Sequence, residues 1–125
     1  MPKLAVIPGD GIGRDAIPVA VEVLRAVLPG LETIEADAGW DCFQRTGTSV
    51  PQKTLETIRD CGAGLFGAVS SPSGKVEGYQ SAVLTMRQEL DLYANIRPVR
   101  SWPVISPRDD VDMIIVRENT EGLYS

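Results

Sequence analysis

A short apolar run, Lys3 to Ile7, ends abruptly at Pro8-Gly9-Asp10-Gly11-Ile12-Gly13, and a helical pattern starts at once. The run reads as a buried strand. Ile17, Ala20, Val21, Leu24 and Leu28 then recur at helical spacing and give one apolar face. Asp15 and Pro18 fall near the start of this helix, where an acid and a proline are both tolerated, and Pro29-Gly30 ends it. Glu32 to Ala36 reads as a second strand, Pro51 to Cys61 as a helix begun by proline, and Gly64 to Val69 as a strand feeding the loop Ser70-Ser71-Pro72-Ser73-Gly74. Ser81 to Leu92 is helical in composition. Tyr93 to Val99 and Asp112 to Glu118 read as strands, with the proline-bearing stretch Ser101 to Pro107 as a linker between them. The alternation of strand and helix is that of an α/β fold.

The residue inventory narrows the chemistry. Histidine is absent, so acid–base work falls to Tyr, Lys, Asp or Glu, and His-dependent triads and zinc sites are excluded. Cys42 and Cys61 match no metal spacing and read as reduced thiols. The net charge is −5 with the two signs interspersed, so no basic stripe suits a nucleic acid. No apolar run approaches the roughly 18 residues of a membrane span. The apolar start is too short for a signal-peptide core, and a cytoplasmic location is expected.

The glycine turn is a weak clue by itself. A dinucleotide fingerprint reads G-x-G-x-x-G, whereas position 14 is arginine, and any tight strand-to-helix turn can use glycine for positive φ. The arginines say more. Arg97 and Arg117 interrupt apolar runs expected to be buried strands, where a guanidinium must be paired. Arg87 precedes the first of these strands. Each arginine could meet a carboxylate such as Glu89, Asp91, Glu118 or Glu121. Together they could instead hold a di- or tricarboxylate ligand through bidentate forks. Tyr124 is either a half-buried tyrosine with a satisfied hydroxyl or a proton donor near the arginines.

Pro8-Gly9-Asp10-Gly11-Ile12-Gly13, the string Leu90 to Val99 and the string Val116 to Tyr124, in that order and spacing, closely resemble the hallmark segments of the isocitrate, isopropylmalate and homoisocitrate dehydrogenases. The resemblance covers essentially the whole chain. It implies an isopropylmalate-dehydrogenase-like two-domain α/β fold, distinct from a Rossmann fold, of which this is the N-terminal portion. Residues 1–99 would belong to the larger cofactor and substrate domain. Residues 100–125 would form a linker and the first strand of the second, dimer-forming domain.

Position by position, the resemblance makes Arg87, Arg97 and Arg117 the holders of the malate-like carboxylates and Tyr124 the group that protonates the enolate left by decarboxylation. Val69, Ser70 and Ser71, with Ile12, would border the nicotinamide of NAD, and Ser71 would also touch the substrate. Ser81 and Leu84 would read the variable substrate arm. The implied reaction oxidises C2 of a hydroxyacid, releases the β-carboxylate as carbon dioxide and reprotonates the enolate, with Mg²⁺ or Mn²⁺ as Lewis acid. The metal ligands and a partner lysine are expected beyond residue 125, so the 125-residue chain alone is expected to be inactive. The partners implied are a small hydroxy di- or tricarboxylate and further copies of the chain in a homodimer or homotetramer, with no nucleic acid and no membrane.

Glu118-Asn119-Thr120-Glu121-Gly122-Leu123-Tyr124 is closer to the isocitrate and homoisocitrate members than to the isopropylmalate enzymes. The stretch Ser70 to Tyr79 is most like the homoisocitrate enzymes of lysine biosynthesis. Some bacterial members carry arginine where this chain has Leu84, which leaves Ser81 as the contact for a distal carboxylate. Homoisocitrate therefore leads, isocitrate follows and isopropylmalate is third. A non-catalytic regulatory subunit or a structural fragment of this fold is the rival from another class.

Overall fold

The computed structural model describes residues 1–121, which divide into two compact units at Met86 and Arg87. The first contains β1 (Lys3–Gly9), α1 (Gly13–Val27), β2 (Glu32–Glu35), α2 (Trp40–Thr46), α3 (Gln52–Cys61) and β3 (Gly64–Ala68). Its strands form one parallel sheet in the order β2-β1-β3. Lys3 lies opposite Glu32 on one side of β1, and Ala5 opposite Gly64 on the other. Alternation along β1 then decides which helix covers which face. Val6 turns toward Ile17 and Val21 of α1, with Leu4 and Leu65 packed at the margin. Ala5 and Ile7 are fully buried on the opposite side, where Gly64 leaves room for Ile7 and Ile58 of α3.

Local chemistry explains the helix boundaries. α3 starts after Pro51 in an extended conformation and stops at Gly62, whose φ of 72° is left-handed and lets its N–H reach back to Ile58 and Arg59. α1 has no side-chain cap at Ile12, but Asp15 lies in its first turn and Arg25 in its last, both favourable to the helix dipole. Pro18 differs from expectation. It lies inside α1 beyond the first turn, so the carbonyl one turn earlier loses its N–H donor. Packing of Ile17 and Val21 on the sheet holds the helix through that point.

α2 is absent from the sequence reading. It is a short helix between Gly39 and a left-handed Gly47, with Cys42 as its buried residue. Burial pushes the Cys42 thiol pKa up, which keeps it protonated; both cysteines are free.

The second unit is an antiparallel ribbon of β4 (Ala94–Arg100) and β5 (Asp112–Glu118), and α4 (Ala82–Glu89) runs across the division between the units. The register runs from Ala94 opposite Glu118 to Arg100 opposite Asp112. The stretch Ser101 to Pro107, expected as a linker, is therefore part of the loop joining two paired strands. The compact units of the described residues meet at Met86 and Arg87.

Gly13 supports a prediction. A Cβ there would stand 2.1 Å from the Pro8 carbonyl oxygen and 2.8 Å from the Ala68 nitrogen, both backbone atoms with little freedom to move. Gly13→Ala should lower unfolding stability by about 2 kcal/mol, in the range of overpacked sites. Chemical denaturation checks this, and an unchanged midpoint would show that the turn can relax.

Candidate active site

The carboxyl ends of β1 and β3 lie side by side, because Gly9 is opposite Ala68 in the parallel register. The turn after β1 and the loop after β3 are thereby brought together, and this crevice is where open parallel sheets bind ligands. Gly9 makes the approach possible. Its φ is 76°, and a Cβ there would meet the Ala68 oxygen at 2.1 Å. The Asp10 N–H donates to that same oxygen at 2.8 Å.

Asp10 is the organising side chain of this end of the sheet. It is 3% exposed. Its Oδ2 accepts from the Trp40 N–H at 2.7 Å and the Ser70 N–H at 2.8 Å, and its Oδ1 accepts from the Asp41 N–H at 3.0 Å. Burial by itself would raise the Asp10 pKa. The backbone bonds from Asp41, Trp40 and Ser70, with the charge of Arg14, outweigh that and hold it below the ordinary aspartate value. Arg14, the residue that breaks the dinucleotide fingerprint, donates to Asp41 Oδ2 at 2.6 Å and to the Gly9 oxygen at 3.4 Å. The sequence suggested only a turn residue at Asp10. The missed signal was an acid between two glycines at a strand end; the side-chain partners described above lie at least thirty residues away.

Two expected coenzyme-loop positions, Val69 and Ser70, follow β3 directly, and Ser70 is fixed to Asp10. Ile12 stands at the α1 N-terminus and is 68% exposed. Ser71 is exposed. The loop returns at Tyr79, whose ring meets Trp40 and Phe43 edge-on with centroids 5.2 Å apart in each case. Ser81 immediately precedes α4. Leu84 and Arg87 lie three residues apart in that helix, the spacing of one helix face.

Arg97 and Arg117 share one face of the ribbon. Asn95 is directly opposite Arg117 and Arg97 lies two residues along the same strand, so all three project to the same side. Arg97 Nε donates to Asn95 Oδ1 at 3.0 Å, and among the described residues Arg97 has no carboxylate partner. The expectation that these strands are buried is corrected. Ile96 is 63% and Ile114 67% exposed, on one face, and Ile115 is 46% exposed on the arginine face. A ribbon of two strands buries little by itself, however apolar its sequence.

Beyond β5, the Glu118 carboxylate accepts from the Thr120 N–H at 2.8 Å, the Thr120 hydroxyl at 3.0 Å and the Glu121 N–H at 2.8 Å. The Thr120 backbone bond leads in lowering its pKa. Asn119 is buried; its N–H donates to Tyr93 O at 3.0 Å, while its Oδ1 accepts no hydrogen bond among the described residues. Tyr124, the expected proton donor, lies outside the described residues. Among the described residues no three His, Cys, Asp or Glu side chains gather to hold a metal ion, and no helix is long and apolar enough to cross a membrane.

A glycine turn and an anchored loop meet at the carboxyl end of a parallel sheet, and paired arginines share one ribbon face. The elements are those of an α/β protein, and comparison with known proteins specifies the class. The isocitrate/isopropylmalate dehydrogenase profile matches residues 3–125, and the chain belongs to that family. It is 54% identical over 122 residues to an isocitrate/homoisocitrate dehydrogenase of Thermus thermophilus, covering 98% of this chain and 36% of that protein. A 3-isopropylmalate/3-methylmalate dehydrogenase of Methanocaldococcus jannaschii is 44% identical over 125 residues, covering 99% of this chain and 36% of the relative. The crystal structure of isocitrate dehydrogenase from Methylococcus capsulatus superposes with a TM-score of 0.88 at 39% identity, over 99% of this chain and 36% of that one. The chain thus spans just over a third of the length of these relatives, and its α/β fold is theirs.

The Asp10 geometry sets a pH dependence. A carboxylate whose folded pKa is depressed stabilises the fold fully above its unfolded value, close to the ordinary 3.8, and loses that contribution as pH falls through the folded pKa. Asp10→Asn should cost about 3 kcal/mol at neutral pH, because charge-assisted bonds are lost and an amide N–H₂ is set against backbone donors. The loss should shrink as pH falls below the ordinary aspartate value. Denaturation midpoints of both proteins between pH 7 and pH 3 measure it, and a pH-independent difference would show that the charge is immaterial.

Proposed function

We propose that the longer protein of which this chain is part carries out the NAD-dependent oxidative decarboxylation of homoisocitrate to 2-oxoadipate, a step of lysine biosynthesis by the aminoadipate route. The observation that carries this reading is the placement of Arg97 and Arg117 on one ribbon face, next to Asn95, in a chain of this family. Two guanidinium forks on one side suit the carboxylates of a malate-like unit. Arg87 is assigned to the same task. In this reading the arginines orient the substrate and neutralise its charge, so that C2 is presented to the coenzyme in one geometry.

The residues around the β1 and β3 ends fit a nicotinamide. Gly9 and Gly13 allow backbone to approach closely, exposed Ile12 offers an apolar edge, and Val69, Ser70 and Ser71 border the same crevice. NAD bound there supplies the oxidant for C2. Ser71 and Ser81 are assigned to the substrate, Ser81 to its distal carboxylate, and Leu84 to its variable arm. Tyr124 is assigned the proton delivered to the carbon that carbon dioxide leaves; with histidine absent from the chain, a phenol is one of few donors. The described residues do not themselves form a cage for Mg²⁺ or Mn²⁺. Those ligands are assigned to the remainder of the longer protein, which we take to be a homodimer or homotetramer.

Isocitrate is the second reading, since the Thermus relative carries both names and Leu84 brings no positive charge to the distal end of the substrate. Isopropylmalate ranks third, on the strength of the Methanocaldococcus relative. Retention of Arg87, Arg97, Arg117 and Tyr124 argues against a non-catalytic subunit. Assay of the longer protein with each hydroxyacid, NAD and Mg²⁺ should give the highest kcat/KM for homoisocitrate; a preference for isopropylmalate would overturn the assignment. Arg97→Ala or Arg117→Ala should lower kcat/KM by about 10²-fold, and near-normal kinetics in a folded variant would remove them from the site. Tyr124→Phe should slow kcat while leaving KM nearly unchanged, because a proton donor acts on the reacting species and not on the bound ground state. A rise in KM at constant kcat would reduce its role to binding.

A further inference from the structure

We propose that Tyr79 is a positioning residue, which together with Asp10 clamps both ends of the loop Ser70–Tyr79 and so holds Ser70 and Ser71 at the coenzyme site. The proposal deepens the function argued above and rests on its reading of Val69–Ser71 as the coenzyme loop. Asp10 takes the near end through the Ser70 N–H at 2.8 Å. The far end is taken by the Tyr79 ring, which stands edge-on to both Trp40 and Phe43, interplanar angle 82° in each case. Those two rings stack on one another at 5.6 Å, so they present one surface.

Both anchors converge on the same short helix. α2 contributes Trp40 and Phe43 to the aromatic contact, and its first N–H groups bind the same Asp10 carboxylate that holds Ser70. The Tyr79 hydroxyl also donates to the Ser70 oxygen at 3.4 Å, tying the two ends of the loop to each other. Between the ends, Ser71, Ser73, Gly74, Lys75, Val76, Glu77 and Gly78 are exposed, and no side-chain hydrogen bond holds them among the described residues. A loop rich in serine and glycine has little intrinsic preference for one conformation. Its order at Ser70 and Ser71 therefore depends on the anchors. Compact loops of this length whose ends are close commonly carry function. Misplacing such a segment by about 1 Å is enough to cost binding or rate.

A merely space-filling Tyr79 would affect global stability alone. A clamp affects the loop selectively, and Lys75 offers a direct reading, because trypsin cuts after lysine only where the chain can open. In the longer protein, Tyr79→Leu should speed native-state cleavage at Lys75–Val76 by about tenfold or more, given the loss of two edge-on aromatic contacts. It should also raise the dissociation constant of NAD several-fold, with kcat changed less than about twofold. Tyr79→Phe keeps the ring and should stay within about threefold of wild type in both measurements. Phe43→Leu removes one of the two contacts, should give intermediate values, and takes the place of Tyr79→Leu should that variant not fold.

Wild-type cleavage rates in these variants would overturn the clamp, and so would faster cleavage with unchanged NAD affinity. NAD affinity is read by equilibrium titration, independent of turnover. Failure to oxidise any of the three hydroxyacids would thus remove the proposed reaction while leaving this test standing. A wild-type protein that bound no NAD would overturn both.

Discussion

A carboxylate taken out of water costs several kcal/mol unless its oxygens are supplied with donors. Asp10 meets that demand with backbone N–H groups from two separate segments, Trp40 and Asp41 on one side and Ser70 on the other. Side-chain donors could swing away; backbone donors are committed to the path of the chain. The bonds therefore fix three things together: the turn leaving β1, the start of α2 and the loop leaving β3. Gly39 belongs to the same constraint, since a Cβ there would come within 2.5 Å of Asp10 Oδ2. Remove the charge, and no local preference holds these segments in register.

The sheet order makes this arrangement possible. With β1 in the centre and parallel neighbours on both sides, the carboxyl ends of all three strands point the same way. The crevice between β1 and β3 is then framed by two turns that are distant in sequence, sixty residues apart at Asp10 and Ser70. Gly9 and Gly13 let those turns touch, at positions where a Cβ would collide with backbone. Close approach, more than turn conformation, is what the glycine string supplies at Gly13.

Regular elements with strong local signals were legible in the sequence. The apolar face of α1, the proline start of α3, and the five strands all follow from periodicity and breakers. α2 was not legible, and the reason is physical. It is short, buries little, and the acceptor for its first N–H groups lies thirty residues upstream at Asp10, so no capping pattern is written beside it. The exposure of β4 and β5 escaped for the opposite reason. Alternation and apolarity record what a strand is suited to lie against, not whether that layer is supplied by the same stretch of chain. Of the candidate site, the common face of Arg97 and Arg117 follows once the register is known, whereas the role of Asp10 depended wholly on tertiary donors.

The two units differ in how far their chemistry is already sheltered. Asp10 is almost fully covered, and its bonds to backbone N–H groups are partly shielded from water. Arg97 stands on an open ribbon face. An ion pair formed there would be screened to about 1 kcal/mol or less, against roughly 1.5–3 kcal/mol for a charge-assisted bond shielded from water. Firm binding of a carboxylate by Arg97 and Arg117 therefore requires a cover over that face. The exposed apolar side chains of the ribbon, Ile96 and Val116 on one side and Met113 and Ile115 on the other, are suited to receive one. A chain that spans 36% of the length of its relatives accordingly divides the work. The crevice at the sheet end is organised by its own residues, while in the proposed function the hold of the arginines on a carboxylate depends on whatever excludes water around them.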